Sequence, residues 1–324
     1  MPLAVILCAV AGLAILGGLL YMAGVGLFRG VFLRPQPRPK VDRSPLNIRQ
    51  DTIIGLGQNW FYAKRMDFQD LQMRSYDSLP LTAYFLPGRR RYCDHMVILM
   101  HGYNQHPSTM AAFAEMYLER RDCHILIPHL RAHGMSGGGV VGYGLPDSQD
   151  LLMWHHFMED YLGRELQTIY HGCDIGAVAV LMAAGSRHLP TGVRAVVADS
   201  PFSAMDTLLD ALLAKNILYR LRIPKLLMNR NLRNRMHYGV EAIAPLRVTK
   251  NISVPVLLIH GALDTFIPPV HSEQLYAKIR APKRMLTFKN AKQGMSYDSH
   301  PALYSAEVNR LMTLVNFHEE TMIG

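Results

Sequence analysis

Residues 171–176, HGCDIG, carry the spacing Gly-x-Nuc-x-Gly of a sharp strand-to-helix turn that lifts one side chain out for covalent chemistry. In such a turn the chain passes close to itself, so the residues two positions either side of the apex must be small. Asp174 meets this with Gly172 and Gly176, whereas Cys173 would be flanked by His171 and Ile175, which makes the aspartate and not the thiol the apex. A carboxylate can attack as a nucleophile and form an ester. It cannot perform acyl transfer of the serine type, which needs a hydroxyl that loses its proton to histidine during attack. Ordinary serine esterase or peptidase chemistry is therefore disfavoured here.

Other candidate groups are weaker. His124, His129 and His133 are spaced by five and four residues in a strand and loop, but no rigid element forces them to converge, so no metal is expected. His155 and His156 are neighbours on a predicted helix and face different sectors. The run SGGGVVGYG lacks the Gly-Lys-Ser/Thr ending of a phosphate loop and reads as a flexible loop near a pocket mouth. Cys93, Cys123 and Cys173 form no Cys-x-x-Cys pair, and Cys8 lies in an apolar run; these are core positions, slightly favouring a reducing compartment. No cofactor is expected.

The elements that must position Asp174 alternate along the chain. Residues 50–75 predict a leading helix and strand, with Trp60, Phe61 and Tyr62 as packing residues. LPLTAYFLP, HMVILM, CHILIP, LQTIYHG, VRAVVAD, VPVLLIHG and RMLTFK read as strands. Between and after them PSTMAAFAEMYLERR, SQDLLMWHHFMEDYL, GAVAVLMAAG, PVHSEQLYAKI and PALYSAEVNRLMTLVNFHEE read as helices. This predicts one α/β domain over 50–324, a mostly parallel sheet with helices on both faces. The rhythm breaks at about 201–250, where two or three helical segments predict a cap inserted over the carboxyl ends of the strands, where ligands of such sheets bind.

At 324 residues and 49% apolar content the chain can bury one large core or two modest ones. The formal charge of +9 is concentrated in Arg29, Arg34, Arg38, Lys40 and Arg43 and again in Arg220, Arg222, Lys225, Arg230, Arg233 and Arg235. No zinc-finger spacing, RNP-like strand or basic-aromatic repeat accompanies these clusters, so no nucleic-acid partner is expected. Residues 1–28 hold no charged side chain and are long enough to cross a bilayer as one helix, without the positive leader and short core of a cleaved signal peptide. They predict a single-pass membrane anchor, followed by a basic Pro-rich tether over 29–49. Basic residues follow the span and none precedes it, which leans the large domain toward the cytoplasm; only the free amino terminus opposes that, and an extracytoplasmic placement stays open.

From about 75 to 320 the chain resembles an α/β-hydrolase of the prolyl-oligopeptidase-like or serine aminopeptidase-like group, in particular its membrane-anchored bacterial members. The pieces are HGYNQHPSTM, PHLRAHGMSGG, GCDIGAVAVLMAAG, VVADSPF, LLIHGALDTFIPP and NAKQGMSY, in that order. The resemblance implies that Asp264 stands where the family's acid orients a histidine, and that Gln293 stands where that histidine belongs. Glutamine has no titrating base near neutrality, so even an ester formed on Asp174 would lack a base to release it. His300, seven residues on, is the best local substitute; His101 and His129, at strand ends, are others. His129 replaces an aspartate usual in the family, Ala132 a glycine, and Asp199 ranks behind Asp264 with a structural or pocket role. The backbone amides of Tyr103 and Ile175 are implied as an oxyanion hole, where an ionised Asp174 would itself sit.

Three functions follow. The first is a catalytically degenerate hydrolase-like protein, anchored in a membrane and retained for scaffolding or for binding, with a small molecule or peptide as the ligand of the capped pocket. The second is an active ester, amide or epoxide hydrolase using Asp174 with a displaced histidine. The third is another membrane-associated binding module, its protein partner unknown.

Overall fold

The computed structural model describes residues 3–34, 51–220 and 222–317. Eight strands form one sheet: β1 (Gln69–Arg74), β2 (Pro80–Leu86), β3 (His95–Met100), β4 (His124–Pro128), β5 (Gln167–Cys173), β6 (Val193–Asp199), β7 (Val256–Gly261) and β8 (Lys283–Phe288). Their order is β1-β2-β4-β3-β5-β6-β7-β8, antiparallel at the β1/β2 and β2/β4 pairs and parallel from β4 to β8. The helices are α1 (Leu3–Phe32), α2 (Ile53–Ala63), α3 (Ala111–Leu118), α4 (Leu145–Leu162), α5 (Ile175–Ala184), α6 (Met205–Leu212), α7 (Ile217–Arg220), α8 (Arg222–Met236), α9 (Val270–Lys278), α10 (Ser296–Ser299) and α11 (Pro301–Leu314).

β4 and β7 are buried along their whole length, and β3, β5 and β6 at all but one or two residues each, as parallel strands covered on both faces must be. Val97, Leu99, Ile125, Ile127, Ile169, Val197, Leu257 and Ile259 form one face and pack with Phe61 of α2, Phe113 of α3 and Tyr304 and Val308 of α11. Met96, Ile98, Leu126, Tyr170, Val196 and Leu258 alternate with them, are equally buried and point to the opposite face. Every residue of α5 is buried, so the helix that follows Asp174 is a fixed internal strut. The α/β-hydrolase-like architecture, with helices flanking the sheet and a helical insertion after β6, is the one the sequence predicts.

The chain divides into two compact units, one containing α1 together with Met205–Ile243, the other containing Arg34–Ala204 with Ala244 onward. The sequence predicts anchor and insertion as separate pieces; instead α1 packs on α8 within one unit. Gly24 is the reason, because a Cβ there would lie 2.5 Å from Leu227 Cβ and 3.1 Å from the Pro224 carbonyl oxygen. Phe28 adds its ring to the Arg235 guanidinium at 5.3 Å. The first helix also runs past the expected limit at residue 28, to Phe32. Beyond Arg34 the expected tether lies outside the described residues. Arg34 donates to the carbonyl oxygens of Gly134 and Ser136, fastening the glycine loop read as flexible.

Candidate functional site

The apex of the β5–α5 turn is Asp174, at φ 53 and ψ −117, a left-handed φ that an L residue rarely adopts. Its N–H donates to the Asp199 carbonyl at 2.8 Å, locking the turn to the end of β6. The small neighbours are obligatory. A Cβ on Gly172 would fall 2.2 Å from the Gly176 carbonyl oxygen, and one on Gly176 would fall 2.2 Å from the Met100 carbonyl oxygen. Cys173 ends β5 beside the apex, and burial pushes its thiol well up, away from the thiolate a nucleophile needs.

The Asp174 carboxyl is seated on backbone donors. Tyr103 N–H donates to Oδ2 at 2.9 Å, and Ile175 N–H also bonds the carboxyl. The loop that brings Tyr103 there is stapled by two buried imidazoles. His133 Nε2 accepts from Asn104 N–H at 3.1 Å and its Nδ1 lies 3.0 Å from the Arg131 carbonyl. His101 Nε2 accepts from Leu130 N–H at 3.1 Å with Nδ1 2.8 Å from the Gly102 carbonyl. Each ring therefore donates from Nδ1 and accepts at Nε2 as a neutral imidazole, and burial lowers both pKa values. Both ring nitrogens of His101 are thus spent on backbone groups.

The same seat was expected to hold Asp174 ionised. Burial instead raises its pKa to about 7, the Asp264 charge adds to the rise, and the two amides oppose it without prevailing. Near neutrality the carboxyl is therefore a mixture of acid and carboxylate.

Asp264, buried in the turn after β7, accepts at Oδ1 from Phe266 N–H at 2.9 Å and Ile267 N–H at 2.8 Å. Its Oδ2 has no hydrogen-bond partner among the described residues. His260 Nε2 stands 3.7 Å away but lies 2.7 Å from the Ile267 carbonyl, while its Nδ1 lies 2.7 Å from Ser272 Oγ. Gln293 sits on the turn between β8 and α10 and shares with Asp174 a cavity of about 590 Å³. Asp199, Asp298, Tyr103 and Phe266 also line it, and no Lys, Arg or His does among the described residues. His300 is exposed at the start of α11, where its carbonyl accepts from Tyr304 N–H, and it does not reach the cavity.

The remaining sequence candidates have structural partners. Asp199 Oδ1 accepts from Ser200 Oγ at 2.9 Å and Ser296 Oγ at 3.2 Å on the cavity floor, its pKa raised by burial. His124 bridges Gly88 N–H and the Cys93 carbonyl, and His129 Nδ1 accepts from Met135 N–H. His155 is buried against Tyr170 Oη at 2.9 Å while His156 is exposed, so the pair does face different sectors. The SGGG segment lines no part of the cavity. Sequence reasoning missed the contribution of α2: Ile54, Gly55 and Gln58 line the cavity, and Ile54 N–H donates to Asp298 Oδ1 at 3.2 Å. The available signal was Gln58, a polar residue on the packed side of a largely apolar helix, buried and bonded to Ser108 Oγ at 3.0 Å.

Residues 142–309, from the loop before α4 into α11, match the prolyl oligopeptidase family. The chain belongs to that family. Among curated proteins, the uncharacterized protein YqkD of Bacillus subtilis is 28% identical, with 75% of this chain and 82% of that protein covered. The uncharacterized protein YfhR of Escherichia coli K12 is 23% identical over 74% of this chain and 78% of its own. Among solved structures, the Pyrococcus furiosus esterase Pf2001 superposes with a TM-score of 0.64 at 19% identity, covering 86% of this chain and 99% of the esterase. The acylaminoacyl peptidase of Pyrococcus horikoshii gives 0.57 at 17%, covering 82% and 45%. At these identities the structures establish the fold alone. Family membership gives the chain a hydrolase ancestry.

Proposed function

We propose that this chain is a catalytically degenerate member of the prolyl oligopeptidase family, anchored in a membrane by α1 and retained to bind a ligand in the 590 Å³ cavity. The observation that carries the reading is the absence of an imidazole from that cavity among the described residues, with Gln293 on the wall and Asp174 at the apex. Asp174, Asp264 and Gln293 then occupy the three positions of a lost triad. The unpartnered Asp264 Oδ2 is the acceptor that a histidine N–H would have used, and the amides of Tyr103 and Ile175 are an oxyanion hole filled by the protein's own carboxyl. A hydrolytic cycle through Asp174 would need a base for the second half-reaction, and exposed His300 is not at hand. Three carboxyls and no cation on the wall favour a neutral or cationic small molecule or peptide end over an anion.

The membrane half of the proposal rests on α1, the one helix among the described residues long and apolar enough to cross a bilayer. Basic residues after it and none before it lean the family domain toward the cytoplasmic side, with an extracytoplasmic placement as the alternative. The test is hydrolysis of aryl esters, aminoacyl arylamides and epoxides by the full-length protein and by Asp174→Ala. Neither is expected to turn over substrate. Turnover by the wild type that disappears in Asp174→Ala would replace this reading with an active hydrolase using the carboxylate.

A further inference from the structure

The compact unit formed by α1 and the insertion fixes the depth of α8 relative to the apolar helix. Residues Leu3 to Ala23 of α1 rise about 30 Å as a helix, the thickness of a hydrocarbon core. At the next residue, Gly24, α1 meets the first turns of α8 at Pro224, Leu227 and Met228, and Arg29 follows in the last turn of α1. A bilayer that accommodates Leu3–Ala23 therefore ends where α8 begins.

At that level α8 presents an unusual outer face. With about 100° between successive residues, Arg222, Ile223, Leu226, Arg230 and Arg233 fall within one sector. All five are exposed, Leu226 at 68% and Ile223 at 52%, while Pro224, Met228 and Leu232 are buried on the other side. Ile217 of α7, just before, is 67% exposed. Arg233 pairs with Glu241, but Arg222 and Arg230 have no acidic partner among the described residues. Large apolar side chains interleaved with unpaired arginines suit neither water nor a protein core. They suit the headgroup boundary of a bilayer, where the apolar groups sink to the acyl region and the guanidiniums meet phosphates.

We propose that α7 and the outer face of α8 form a second membrane contact, seated in the interface of a bilayer containing anionic phospholipid. The proposal rests on α1 being the anchor. It makes the insertion a monotopic element held at fixed depth by Gly24, with Ile217, Ile223 and Leu226 immersed and Arg222 and Arg230 on lipid phosphates.

The test uses the full chain in bilayers with brominated acyl chains, either zwitterionic phosphatidylcholine alone or mixed with phosphatidylglycerol. Indole probes are introduced by Leu226→Trp on α8 and, separately, Leu13→Trp in the middle of α1. The Leu226→Trp probe is expected to be quenched, more strongly with phosphatidylglycerol, and Arg222→Gln with Arg230→Gln is expected to abolish that excess. The Leu13→Trp probe is expected to be quenched in both bilayers. An unquenched Leu226→Trp beside a quenched Leu13→Trp overturns the interfacial contact and leaves the anchor standing. An unquenched Leu13→Trp overturns the anchor reading itself, so the two failures are told apart. Equal quenching of Leu226→Trp in both lipids, or an excess that survives loss of the arginines, overturns the role given to them.

Discussion

At the scale of single residues, the chemistry turns on one carboxyl. The folded protein raises Asp174 to about 7, above its unfolded value, so between those two pKa values the native state binds a proton that the unfolded state does not. Stability from this group is therefore fullest at low pH, falls as pH rises from about 4 toward 7, and stays diminished above that. The loss at alkaline pH is on the order of 4 kcal/mol, less where cavity water reaches the carboxyl. In Asp174→Asn that pH dependence should vanish, so denaturant unfolding of the two proteins should diverge with rising pH. Divergence in the opposite sense would mean that the two amides hold the carboxylate ionised. The neighbouring positions give a second prediction. Asp264 Oδ2 lacks a donor, so Asp174→Ser with Gln293→His should confer aryl-ester hydrolysis that neither single substitution gives. Adding Asp264→Asn should lower that activity by roughly 10²–10⁴-fold, the range expected when a general base loses its orientation. An inactive, folded double variant would count against assigning Asp174 and Gln293 to the nucleophile and histidine positions of a triad.

At the scale of elements, the loop after β4 shows how the site is held. Arg131, 1% exposed, binds Asp150 through Nε at 2.7 Å and Nη2 at 2.6 Å, and reaches Asp77 at 2.9 Å. Burial holds Asp150 up at about 6 even beside this arginine. Arg131→Met would strand that carboxylate, and a loss of about 3–5 kcal/mol is expected in denaturant melts above neutrality, easing at acidic pH as Asp150 protonates. The next residue, Ala132, stands at φ 60, where an alanine is strained by roughly 1–2 kcal/mol and glycine is not. Ala132→Gly should be neutral or should stabilise by up to about 1 kcal/mol, read as an unchanged or higher melting temperature. These elements were largely legible beforehand, because buried parallel strands are continuous apolar runs and the elbow announces itself through Gly172 and Gly176. The fate of the histidines was not. Whether His101 or His133 faces a substrate or a carbonyl depends on loop contacts between segments about thirty residues apart, such as Asn104 N–H with His133 Nε2. Local sequence pattern says nothing of those. The same holds for Asp174: spacing located the side chain, while its protonation is set by surroundings assembled from β6, β7 and the Tyr103 loop.

At the scale of the whole molecule, the least legible feature is the company α1 keeps. An apolar run at the amino terminus is read from composition alone as an independent anchor, because nothing in periodicity reveals a partner two hundred residues away. The partnership rests on a glycine that composition treats as merely tolerated in a membrane helix. Gly12, Gly17, Gly18, Gly26 and Gly30 of the same helix have open space at the Cβ position, whereas Gly24 has Leu227 and Pro224 there. This contrast yields a prediction that separates anchoring from association. Gly24→Leu should disrupt the α1–α8 contact and leave an apolar helix still able to cross a bilayer, while Gly18→Leu should do neither harm. Membrane fractionation should then be unchanged in both proteins, and limited proteolysis within residues 205–243 should accelerate in Gly24→Leu alone. Proteolysis at the wild-type rate in Gly24→Leu would show that the insertion keeps its structure without α1, and that the two meet without depending on one another.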